Sequence, residues 1–141
     1  MKHFRYWLLL SMLMAVFLTS SIVRAQGTSQ QIISIGFARR ILTAALAVHG
    51  LTKLPAFDLE PYDGKDSRFY FFEADWDTPA SAVAGGVGHY AVNRVTGGAW
   101  EIMACEALTS PTTRKLQLDI KKSLRVRPDE YEKLRTVKPC P

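Results

Sequence analysis

His89 is the side chain in the middle of this sequence best suited to proton transfer near neutral pH. Asp75 and Asp77 end the aromatic run before it, and a glycine-rich connection returns the chain to His89. A histidine beside two carboxylates has the makings of a general base or a metal site. One histidine with scattered acids falls short of the three protein ligands of a catalytic zinc. HExxH, GxSxG and a Cys–His pair are all missing from the sequence. A surface histidine paired with an acid is the simpler account. Gly86-Val87-Gly88-His89-Tyr90-Ala91 also matches the GxGxxA form of a dinucleotide fingerprint, and Glu106 follows at the expected distance. That motif needs a strand before it and a helix after it, so that backbone N–H groups face the pyrophosphate. Here a strand pattern follows. The expectation is therefore no catalytic residue, no metal and no cofactor.

The elements that position these residues are legible from periodicity. In "QQIISIGFARRILTAALAVHGL", Ile33, Phe37, Ile41, Ala45 and Val48 recur at helical spacing, with Ala38 and Leu42 beside them. The spacing predicts a helix over 30–51, ended by Gly50, with Arg39 and Arg40 exposed and His49 in its last turn. "KLPAFDLEPYDGKD" reads as a loop, because Pro55, Pro61 and Asp63-Gly64 punctuate it. "SRFYFFEADWD" reads as a strand. Tyr70, Phe72, Ala74 and Trp76 form its core face, and Phe69, Phe71, Glu73 and Asp75 form the other. Thr78 to Gly88 is expected to be a long, mobile loop. "HYAVNR" and "AWEIMAC" read as two strands joined by "RVTGG", a turn that calls for glycine at positive φ. Ser110 as N-cap and Pro111 at the first position open a helix with the stripe Leu116, Ile120, Leu124. "RPDEYEKLR" is a further short helix. The order predicts an α+β domain: an N-terminal helix on an antiparallel meander of three or more strands, then C-terminal helices.

Lys2 and Arg5, then the apolar run "WLLLSMLMAVFLT" and Val23-Arg24-Ala25, read as a secretory signal peptide cleaved after Ala25. The run is shorter than the ~20 residues of a membrane span, and no stable membrane anchor is expected after cleavage. Residues 26–141 then form one domain. Of the 18 Lys+Arg and 13 Asp+Glu, the leader takes three bases and no acid, so 15 bases face 13 acids, a net charge of +2. General nucleic-acid binding loses its warrant. The charge is segregated. Residues 26–56 hold Arg39, Arg40 and Lys53 and no acid; residues 57–110 hold nine acids against Lys65, Arg68 and Arg94; residues 111–141 hold nine bases against four acids. Cys105 and Cys140 form an even pair, which reads as a disulfide in an oxidising compartment. Periplasmic localisation follows.

"GHYAVNRVTGGAWEI" resembles the closing hairpin of small exported α+β domains. Two groups share that pattern and the helix-then-meander order. One is the NTF2-like or cystatin-like immunity proteins, which neutralise antibacterial toxins; the other is the PepSY-type periplasmic modules. The resemblance implies a binding role in the envelope, with a secreted toxin or wall hydrolase as protein partner. The residues expected to meet it are Asp75, Asp77, Gly85, Gly86, Gly88 and His89, which flank or form a loop able to plug a cationic cleft. Phe69 and Phe71 join them if the second sheet face is bare; otherwise they pack under the C-terminal helices. Pairing of two copies is left open. Two other readings compete. One is an NTF2-like enzyme with a pocket between helix and sheet, and the other is an envelope accessory whose basic helices meet acidic partners.

Overall fold

A computed structural model of the chain describes residues 31–77 and 86–140. The leader and Thr78 to Gly85 lie outside the described residues. The elements run α1 (Ile35–Val48), a single 3-10 turn (Leu51–Lys53), β1 (Asp58–Tyr62), β2 (Phe69–Trp76), β3 (Gly86–Asn93), β4 (Ala99–Glu101), β5 (Glu106–Leu108), α2 (Pro111–Ser123) and α3 (Pro128–Arg135). The five strands form one antiparallel sheet in the order β1-β2-β3-β4-β5. The α+β class and the order of helix, meander and C-terminal helices are as the sequence predicts.

α1 starts later than periodicity suggests. Ser34 caps it, its hydroxyl accepting from the Phe37 amide at 3.2 Å. Ile33 stays outside the helix yet buried, its amide bonded to the Arg94 carbonyl at 2.8 Å. Ala38, Ile41, Leu42, Ala45 and Leu46 form the inward stripe, while Val48 at the helix end is exposed. Gly50 follows at φ 74, the left-handed conformation that glycine adopts without a Cβ penalty.

Two strands escaped the sequence reading. β1 lies within the stretch read as a loop. Pro61 lacks an amide to donate, and an edge strand tolerates that; β1 is the sheet's edge, paired on one side only. The run read as one strand from Ala99 to Cys105 is instead a hairpin. β4 stops at Glu101, whose carboxylate accepts from the Met103 and Ala104 amides and so folds the chain into a turn. β5 then returns beside it.

The β3–β4 turn is built as its residues require. The Asn93 side-chain carbonyl accepts from the Val95 and Thr96 amides, and Gly97 sits at φ 69. A Cβ on Gly97 would also strike Ile120 and Ile41, at 2.5 and 2.9 Å. α2 opens on a capping box: the Ser110 hydroxyl accepts from the Thr113 amide, and the Thr113 hydroxyl oxygen accepts from the Ser110 amide.

The sheet is apolar on both faces, unequally. On one face α1 and α2 cover Leu59, Phe72, Ala74, Tyr90, Val92 and Ala99, and Ile120 joins them with Leu116 and Leu124 alongside. On the other, a smaller cluster of Phe69, Phe71 and Ala91 is covered by Trp100, Ile102 and Val137. The cover comes from β4, the turn that follows it and the tail. Tyr131 anchors α3, its buried hydroxyl donating toward the Thr96 and Gln117 carbonyls, both at 3.4 Å. The tail then runs to Cys140, which is bonded to Cys105 with Cα atoms 5.8 Å apart.

Candidate partner-binding face

Residues directly opposed in an antiparallel pair point to the same side of the sheet. The β1–β2 register opposes Asp58 to Asp75, Glu60 to Glu73 and Tyr62 to Phe71. The β2–β3 register opposes Glu73 to His89, Asp75 to Val87 and Phe71 to Ala91. All lie on the face away from α1, because the intervening Leu59, Phe72 and Ala74 belong to the core under that helix. The small cluster covers one part of this face. The rest carries Asp58, Glu60, Glu73, Asp75, His89, Tyr62 and Val87.

Four carboxylates thus face one another in two cross-strand pairs. Like charges placed directly opposite destabilise a sheet. Among the described residues, no lysine or arginine is placed to neutralise them: the ion pairs of this chain's Lys and Arg go to Asp66, Glu132 and Asp129. Only His89 answers, its Nδ1 lying 3.5 Å from Glu73 Oε2. Asp58 turns one oxygen onto the neighbouring Leu59 amide at 2.8 Å.

Aromatic rings border the acids. Tyr62, 39% exposed, contacts the Phe71 ring at 5.7 Å and the His89 ring edge-on at 6.0 Å. Partial burial raises the Tyr62 phenol above its ordinary pKa, and the Glu73 charge adds to the rise. The hydroxyl therefore stays a neutral donor beside the carboxylates. Next to Tyr62 a cleft of about 360 Å³ opens between Asp63, Gly64, Asp66, Tyr70 and Arg94. The Arg94 guanidinium lies over the Tyr70 ring at 4.4 Å and its Nε donates to the Phe69 carbonyl at 3.2 Å, so that charge is held by the frame.

The residues expected to meet a partner divide sharply. Asp75 and His89 stand on the open face, and Asp77 lies exposed just past β2, its amide held by the Pro55 carbonyl at 2.8 Å. His89 faces Glu73, where the sequence pointed to Asp75 and Asp77; the register of β2 and β3 sets that partner. Phe69 and Phe71 are corrected: only 1% and 9% exposed, they sit under Trp100, Ile102 and Val137 and are not surface anchors. Gly88 is corrected as well. It is a buried strand residue on the helix side, and a Cβ there would meet the Tyr90 phenol at 2.5 Å, so the glycine makes room for a core ring. Gly86 is likewise in β3, opposite Trp76, and not in a loop. Gly85 lies outside the described residues. The sequence reading missed Asp58, Glu60 and Tyr62. Their signal is the alternation in Asp-Leu-Glu-Pro-Tyr, hidden by its proline.

His89 also lies on the wrong side for a pocket between helix and sheet. That layer is filled by Ile41, Leu42, Leu46, Phe72 and Val92, all fully buried. No group of three or more His, Cys, Asp or Glu able to hold a metal occurs among the described residues. The carboxylates pushed below their ordinary pKa are Asp66, by its hydrogen bond from Arg68, and Glu132, by its hydrogen bond from Lys121. Both are structural pairs away from His89. In comparison with known proteins, no family model and no curated protein matches the chain. Among solved structures it is similar to one chain of a type VI secretion system effector–immunity complex from Pseudomonas protegens. The TM-score is 0.60 at 22% identity, over 75% of this chain and 88% of that one, a likeness of fold.

Proposed function

We propose that this protein is an immunity-type inhibitor of the cell envelope, one that binds a secreted antibacterial toxin or wall hydrolase and occludes its active site. It is exported by a leader cleaved after Ala25 and acts by binding. One observation carries the reading: Asp58, Glu60, Glu73 and Asp75 oppose each other on an open sheet face, and among the described residues no lysine or arginine pairs with them. A cationic partner relieves that repulsion, so the face is complementary to a basic cleft. Tyr62 and Val87, 39% and 55% exposed, add apolar contact within the acidic rim. Asp77, exposed just past β2, adds a further acid beside Asp75. The fold likeness supports the reading further, since the solved assembly pairs an effector with an immunity protein.

The test is direct. Any secreted hydrolase found in the neighbouring reading frames is expressed with this protein and without it. Tight co-purification and rescue of the toxin-exposed cell are expected, both weakened by Glu60→Lys. If no such hydrolase binds and no cell is protected, the reading fails.

A further inference from the structure

The side of the molecule opposite the acidic face is basic. α1 exposes Arg39 and Arg40 and contains no acid. α2 packs beside it on the same sheet face and turns Thr113, Leu116, Ile120 and Leu124 inward. Its outward pole is Lys115, Leu118 and Lys122, flanked by Arg114 and Lys121, with Asp119 as its one acid. Lys121 is engaged by Glu132 at 3.2 Å. Arg39, Arg114, Lys115 and Lys122 form no ion pair among the described residues. Leu118 is 57% exposed in the middle of these cations.

We infer that this helical layer is a peripheral docking surface for anionic phospholipid. The charge complementarity is with a plane of phosphate headgroups. The cations spread over two adjacent helices, and Leu118 and Val48 stand exposed on the same layer, suited to the boundary between headgroup and acyl chain. A surface for single-stranded nucleic acid calls for aromatic rings to stack bases. Here the exposed large apolar residues of the two helices, Ile35, Val48 and Leu118, are all aliphatic. The docking is peripheral and salt-sensitive, as binding through headgroup charge requires. Docked this way, the molecule turns its acidic sheet face toward the aqueous side.

The experiment is co-sedimentation of the exported, processed protein with vesicles. One set contains phosphatidylglycerol and phosphatidylethanolamine, the other phosphatidylcholine alone. Binding to the anionic set is expected at about 0.1 M salt and release at about 1 M, where the screening length falls from about 10 Å to about 3 Å. K115E/K122E should lower the bound fraction about tenfold or more. R39E, on the other helix, should lower it independently, with circular dichroism and melting temperature unchanged for each variant. Equal binding to both vesicle sets, or binding indifferent to these variants, overturns the proposal. Binding to heparin or RNA without binding to the vesicles gives the face to a soluble polyanion and overturns it too.

Discussion

Glu60 and Asp75 are where the demands of the fold and the proposed partner role pull apart. Each faces another carboxylate across the β1–β2 ladder. Glu60→Gln with Asp75→Asn removes one charge from each pair, so urea denaturation should show a higher midpoint. The same variant should slow association with a cationic partner by about tenfold, measured by stopped flow. A variant that loses stability, or keeps its association rate, contradicts a binding role for these acids. Gly88 makes the opposite case. Its lack of a side chain serves the Tyr90 ring, which fills the space a Cβ would occupy. Gly88→Ala should cost roughly 1–3 kcal/mol through overpacking. Partner affinity of the remaining folded protein should be unchanged. Tyr90 and Tyr131 carry a pH dependence. Burial raises both phenols above 10.0, with Glu101 and Glu132 adding to the rise. The unfolded chain loses these protons first, so stability is full below about pH 10 and declines above it. Denaturant midpoints measured across that range, beside phenolate absorbance, check the sign.

Among the elements, the C-terminal tail has the clearest energetic role. Val137 covers Phe69 and Phe71, and the Lys138 ammonium lies 5.8 Å from the Trp100 ring. The Cys105–Cys140 bond spans 35 residues. A loop of that length contributes about 4 kcal/mol in the chain-entropy description. Replacing both cysteines by serine should remove a stabilisation of that size, read by urea denaturation. It should also loosen the cover over Phe69, Phe71 and Trp100, read by increased dye binding and a red-shifted tryptophan emission. Unchanged emission would mean that Tyr131 and Val137 hold the tail alone. The cysteine pair was legible because Cys105 and Cys140 stand far apart in the sequence, with no CxxC or zinc-type spacing to give them another use. Both C-terminal helices were legible because Ser110-Pro111 and Pro128 punctuate the chain on their own. β1 and β5 were not. An edge strand has one neighbour and can keep a proline, so Pro61 gave a loop signal where a ladder forms. The turn before β5 depends on the Glu101 carboxylate folding back on two amides, a tertiary choice that alternation does not encode. The open face was half legible for the same reason. Asp75 and His89 lie on strands that the pattern shows, whereas Asp58, Glu60 and Tyr62 lie on the strand it conceals.

At the scale of the whole molecule, layering turns blocks of sequence charge into faces. The acidic middle of the chain supplies the sheet, and the basic segments before and after it supply α1 and α2. Both helices cover one side of the sheet, and the four acids of β1 and β2 stand on the other. Two faces of opposite sign act oppositely on a single charged visitor, and this separates a local from a global effect. On the proposed reading, a cationic partner is steered by the summed field and docks on the acidic face. Raising salt from about 0.1 M to about 1 M should therefore slow its association strongly and change its dissociation little. Charge reversal on the far side, K115E/K122E, makes the summed field more negative without touching the docking residues. It should speed association, while Glu60→Lys slows it. Stopped-flow rates for the two variants at low salt distinguish the cases. Should both variants slow the encounter, the partner straddles both layers, and the division of the molecule into two working faces is wrong.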